Sequence, residues 1–129
     1  MDNDLGVRGS RVTLERCQSI PHISTINLQR ALRWHPNGLD SWSMSDWFLA
    51  LAGEVGEMAN VVKKMNRVRD GMQQKTVDAS TLKNQLKMEI GDVYIYLDLF
   101  ARRAGLNMED CIRDTFNRIS IREGFPERL

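Results

Sequence analysis

The stretch DWFLALAGEVGEMANVVKKM, residues 46–65, decides the fold. Its apolar residues recur every three or four positions, and at 100° per residue Trp47, Leu51, Val55, Met58, Val62 and Met65 form one stripe. That period belongs to a helix buried along one side. Ser43 or Ser45 can cap its start, and it is expected to run to about Asn66.

Working outward, the polar run RVRDGMQQKTVDAS reads as a connecting loop around Asp70-Gly71. A further helix follows from Ser80 or Thr81 to Arg103 or Ala104, with the stripe Leu82, Leu86, Ile90, Val93, Leu97 and Phe100 and Gly105 as its stop. Asn107 caps the next, with Asp110 three residues on, and Met108, Ile112, Phe116 and Ile119 share one face up to Gly124-Phe125-Pro126. Upstream, ISTINLQRALRW between Pro21 and Pro36 has helical character, with Ser24 as its expected N-cap. Nothing reads as a strand, so the expected architecture is an all-α, four-helix-bundle-like domain over residues 13–129, preceded by a flexible arm at residues 1–12.

The 129 residues suffice for one core, and 18 Lys plus Arg against 17 Asp plus Glu give no field that would favour nucleic acid or a membrane. Cys17 and Cys111 lack metal-finger spacing and read as free thiols. No segment approaches the ~20 apolar residues of a membrane span, and MDNDLGVRGSR lacks a signal-peptide core. A soluble, cytoplasmic protein is expected.

The chemistry sits in a short repeat: Glu54-Val55-Gly56-Glu57 and Glu89-Ile90-Gly91-Asp92 are each acid, aliphatic, glycine, acid. Residues three apart share a helical face, so each copy presents two carboxylates side by side. Glu54 projects beside Trp47, Met58 and Val61, and Glu89 beside Val93 and Phe100, so both border the core stripe. One such acid pair is commonplace on a solvated face, whereas two copies bordering their stripes can bring four acids together if the stripes pack against each other. Uncompensated buried ions cost several kcal/mol each, so the arrangement calls for cations. Oxygen ligands suit Mg²⁺, with Mn²⁺ able to substitute, and two ions would cancel a formal charge of about −4. The two glycines each cost ~1 kcal/mol in a helix interior, which points to a packing reason for them.

At these residues the chain resembles the MazG-like branch of the all-α nucleoside triphosphate pyrophosphohydrolases, whose pattern is ExxE followed after a loop by ExxD. The similarity covers about Trp42 to Leu129, including WSMSDWFLALAGEVGEMANVVKK, LKMEIGDVYIYLDLFARRAGLNMEDCI and FNRISIREGFPERL. Its relatives include dCTP pyrophosphatases and the phage MazZ-type enzymes directed at purines. The resemblance implies metal ligands and catalytic acids at Glu54, Glu57, Glu89 and Asp92, and substrate contacts at Tyr96, Asn117 and Arg122, with Lys63 and Lys64 toward phosphates. It implies hydrolysis of a nucleoside triphosphate between the α- and β-phosphates, with purine deoxynucleotides such as dGTP or dATP favoured and dCTP or a broad house-cleaning role as the alternative. It also implies two or more Mg²⁺ per site and a homodimer or homotetramer. Two departures stand out: 31 residues separate Glu57 from Glu89, more than is usual, and Asn60 occupies a place where some relatives have a third glutamate.

Trp42, just ahead of the long helix, is a candidate to stack on the base, while Trp47 lies in the core stripe. His35 reads as a solvated histidine, and Asp98 and Asp114 as solvated acids. A ferritin-like di-iron bundle would need Glu-x-x-His pairs, which His22 and His35 do not complete. A non-enzymatic helical interaction protein is the remaining rival, in which the four acids are incidental.

Overall fold

A computed structural model describes residues 19–72 and 77–129. The expected arm at residues 1–12 and Cys17 lie outside the described residues. Four helices follow in order: α1 (Ile20–Trp34), α2 (Met44–Arg69), α3 (Ala79–Arg103) and α4 (Met108–Glu123), with a 3-10 turn at Gly38–Ser41 between the first two. Among the described residues there is no strand.

Local chemistry sets the helix ends. The Ser43 hydroxyl accepts from the Asp46 backbone N–H while the Asp46 carboxylate accepts from that of Ser43, a reciprocal capping box that starts α2. Asn107 does the same work for α4, accepting from the Asp110 N–H at 2.8 Å. Asp78 precedes α3, which starts at Ala79, one position before the expected Ser80. The first cap differs from expectation: Ser19 takes it, with Pro21 in the first turn, and Ser24 lies buried within α1. Gly124 closes α4 at φ 74°, a left-handed conformation that a side chain would strain.

Helices α2 and α3 form the main helix–helix contact and run antiparallel, Phe48 meeting Phe100 at 5.6 Å between ring centroids near one end. On α2 the inward positions are Trp47, Leu51, Glu54, Met58, Val61 and Met65, a strict alternation of four and three residues. On α3 they are Leu82, Leu86, Glu89, Val93, Tyr96 and Phe100. The acids therefore occupy the seam itself. This corrects the apolar stripe: Val55 (42% exposed), Val62 (40%) and Ile90 (54%) lie on the outer flank, because the inward row passes through Glu54, Val61 and Glu89.

The core centres on Trp47, fully buried with Ala31 and Leu99, and flanked by Leu39, Trp42, Ile95, Tyr96 and Phe100. Burying an indole of this size stabilises by about 3 kcal/mol, and its one polar group is satisfied, Trp47 Nε1 donating to the Leu39 carbonyl at 3.0 Å. His35 is half-buried, edge-on to Trp42 and Trp47 at 4.8 and 5.0 Å, so it packs within the aromatic cluster and is not a solvated side chain. Helix α4 rests on α1 through a face that fades along its length, Met108 being buried while Phe116 and Ile119 are exposed.

Asp98 is the largest departure from expectation. Its apolar neighbours on α3 turn it toward α1, where it is fully buried. One carboxylate oxygen accepts from the Ser24 hydroxyl and the other from Asn27 Nδ2 at 2.9 Å. Arg102 adds its charge, with Nε 3.8 Å from the carboxylate and donating to Ser24 Oγ at 2.8 Å. The buried ion is satisfied on both oxygens, which is the condition for tolerating it. Asp114, by contrast, is exposed as expected.

Candidate metal centre in the α2–α3 seam

Glu54 reaches the seam because it follows Trp47 and Leu51 in the inward row of α2, and Glu89 because it follows Leu82 and Leu86 in that of α3. Asp92 stands one turn beyond Glu89 on the same helix. Carboxylate oxygens of Glu54, Glu89 and Asp92 all lie within 4.8 Å of one another, and all three residues are half-buried. Glu57 is exposed one turn after Glu54 and outside this converged trio, yet close enough for its charge to act on Glu54.

Burial raises the Glu54 carboxyl above the usual range, and the charges of Asp92, Glu57 and Glu89 push it further the same way. The charges of the other three acids thus all act on Glu54. Among the described residues none of the four is in a salt bridge with an arginine or lysine. The donors are hard oxygens only, converging from two helices with no cationic side chain between them. Such a set fits Mg²⁺ or Mn²⁺ and has no thiolate or imidazole to favour zinc. Asn60 does not enlarge it: its Oδ1 accepts from Lys63 Nζ at 3.1 Å.

The other candidate residues are distributed unevenly. Tyr96 lies one turn after Asp92 in the same inward row, half-buried, its ring 6.4 Å from that of Trp47. Trp42 is half-buried with its indole 4.6 Å from that of Trp47, part of the core's aromatic cluster. Lys63 and Lys64 are exposed on α2, Lys64 toward the Glu57 flank and Lys63 away from the seam. Asn117 and Arg122 lie on α4, which contacts α1: the Asn117 amide pairs with the backbone of Leu129 at 2.9 and 3.2 Å, and Arg122 Nε donates to Glu123 at 2.7 Å.

Glycines 56 and 91, inside the two acid motifs, are exposed, and a Cβ added at either would meet nothing within 4 Å. Among the described residues the packing reason expected for them is absent.

Sequence reasoning missed Asn27 and Arg30 on α1. Together with His22, Ile23, Ile26 and Ile95 they line a groove of about 370 Å³ between α1 and α3. A smaller recess beside it is lined by Asn27, Arg30, Trp34, His35, Trp47 and Tyr96, among others. The available signal was Asp98, a lone acid inside the apolar run YIYLDLFA, which needs a polar partner wherever it is buried.

Residues 43–124 match the family described as the MazG nucleotide pyrophosphohydrolase domain, a span that holds the whole of α2 and α3 and all four acids. No curated protein and no solved structure matched the chain.

Proposed function

The chain belongs to the MazG nucleotide pyrophosphohydrolase family, and from that premise we propose that it is a Mg²⁺-dependent enzyme cleaving purine deoxynucleoside triphosphates, dGTP or dATP, between the α- and β-phosphates. The observation that carries the reading is the convergence of Glu54, Glu89 and Asp92 in the seam without a cationic partner. An interaction protein would gain nothing from three unpaired carboxylates held within 4.8 Å of one another, since their repulsion weakens the fold.

Glu54, Glu89 and Asp92 would hold the cation, and Glu57 completes the set from the exposed side. The chemistry such an ion would supply when bound is neutralisation of the triphosphate's charge and activation of the attacking water. The protein's part is positional: two packed helices fix the carboxylates, so little reorganisation is needed when the substrate arrives. Lys64, on the Glu57 flank, is the better placed of the two lysines to contact phosphate. Tyr96, one turn beyond Asp92, would line the site beside the acids; Trp42, packed against Trp47, and Asn117 and Arg122, on α4, lie outside the seam and are the more distant candidates for substrate contact.

Pairing of two copies fits the surface. Met44, Phe48, Val55, Val62 and Ile90 are exposed along the outer flank of α2 and α3, an apolar face that a second copy would cover. Among the described residues no helix is long and apolar enough to cross a membrane.

The test is pyrophosphate release from the deoxy- and ribonucleoside triphosphates with Mg²⁺, Mn²⁺ or chelator. Release led by dGTP or dATP, dependent on the cation and abolished by Glu54→Ala, is expected. A panel led by dCTP would replace the purine assignment, and unchanged release from both Glu54→Ala and Asp92→Ala would sink the site.

A further inference from the structure

The buried carboxylate of Asp98 acts at a distance through one amide. Asn27 Nδ2 donates both to Asp98 Oδ2 at 2.9 Å and to the Ile95 carbonyl at 3.0 Å. Both partners are acceptors, so the amide cannot turn over without setting its own oxygen against two others. Its Oδ1 is thereby left pointing away, where it accepts from Arg30 Nη2 at 3.3 Å. The guanidinium also lies over the Trp34 ring, 5.3 Å from its centroid. A surface arginine is ordinarily free to sample many rotamers, whereas this one is aimed by a buried ion two residues removed.

We propose that Arg30, aimed by Asp98 through Asn27, reads the acceptor edge of a guanine base seated in the groove between α1 and α3, making dGTP the preferred substrate. The inference rests on the triphosphate hydrolase reading and sharpens it. The groove is walled by Ile23, Ile26 and Ile95, apolar surfaces suited to a flat base and unsuited to a triphosphate, and its volume of about 370 Å³ is of the size small-molecule sites use. Ile95 and Tyr96 follow Asp92 by three and four residues, one helical turn or about 5 Å along α3. Phosphates at the acids and a base in this groove would thus be about one helical turn apart along α3, within the span of one nucleotide. The guanidinium offers only donors, and guanine presents two adjacent acceptors, O6 and N7, where adenine pairs N7 with the N6 donor.

Steady-state pyrophosphate release from dGTP and dATP, with binding of dGMP and dAMP measured by calorimetry in parallel, tests this on the full chain and on Arg30→Ala and Asp98→Asn. The unmodified protein is expected to prefer dGTP by about tenfold or more in kcat/KM. Arg30→Ala is expected to bring the ratio near unity, mainly through a higher KM for dGTP. Asp98→Asn keeps Arg30 but leaves the Ile95 carbonyl as the one fixed acceptor on the Asn27 amide, so the aim loosens and the same ratio falls; a merely structural lesion lowers both substrates alike. Arg30 is exposed, so its replacement does not threaten the fold. A ratio retained in Arg30→Ala, or equal losses with both nucleotides, overturns the proposal, and a folded Asp98→Asn protein with an unchanged ratio overturns the aiming role. Should no triphosphate release pyrophosphate, the hydrolase reading fails by itself, while Arg30-dependent binding of dGMP still supports this assignment and its absence removes it.

Discussion

Asp92 and Asp98 sit six residues apart on one helix and meet opposite treatment. Asp98 faces α1 and is fully buried, but Ser24, Asn27 and Arg102 answer both of its oxygens. Asp92 faces the seam, half-buried, and its nearest charged company is Glu54 and Glu89. The chain builds a complete shell around one carboxylate and leaves three others without one, and this difference is what supports reading the second group as a cation site. Charge alone therefore does not mark a site. Missing partners, with packing to hold the charge in place, are what separate the two aspartates.

The contrast can be broken at either end. The largest effect is expected from Asp92→Asn, which removes one ligand without changing shape: pyrophosphate release should fall by on the order of a thousandfold, while the thermal midpoint in chelator stays within a few degrees. A loss of fold in place of a loss of activity would make Asp92 structural. Asp98→Ala should do the reverse in stability, costing about 3 kcal/mol in denaturant unfolding because Ser24, Asn27 and Arg102 lose their common partner. A change within 0.5 kcal/mol or so would mean that the clamp is no more than a surface contact in effect.

The smallest effect concerns Glu54, and its sign is informative. Its carboxyl is raised by burial and by Asp92, Glu57 and Glu89, so the folded state holds that proton more tightly than the unfolded chain does. Metal-free stability is then lost as pH rises through the raised value. Glu54→Gln should accordingly be the more stable protein at neutral pH in chelator, with the advantage fading as pH falls into the acid range, and Mg²⁺ should reverse the order by stabilising only the parent. Thermal unfolding at two pH values with and without Mg²⁺ reads all three. Equal midpoints throughout would mean that the acids do not feel one another.

The repeat of acid, aliphatic, glycine, acid was legible because three-residue spacing fixes a shared face whatever the tertiary context, and the family resemblance stands on the same residues. Helix boundaries around Ser43, Asn107 and Gly105 were legible for the same local reason. What failed was any step that sorted residues by polarity alone. Counting only apolar side chains drew the α2 stripe through Val55 and Val62, when the inward row runs through Glu54 and Val61. Asp98 was assigned to a solvated face because its partners lie 71 and 74 residues away, beyond anything a local pattern can carry. Arg30 stayed invisible with them, its orientation being set by that same distant contact.

That separation also orders the assembly of the molecule in time. Helices α2 and α3 are joined by the short segment between Arg69 and Ala79, so their seam closes with little chain entropy to overcome. The docking of α1 against α3 instead joins residues about 70 apart, and the Asp98 carboxylate sheds its water only when Ser24 and Asn27 arrive. The hairpin is expected to form in the transition state and the clamp after it. Loss of stability in Asp98→Ala should therefore appear in stopped-flow traces as faster unfolding with refolding nearly unchanged. Slower refolding would place the α1 contact in the folding nucleus.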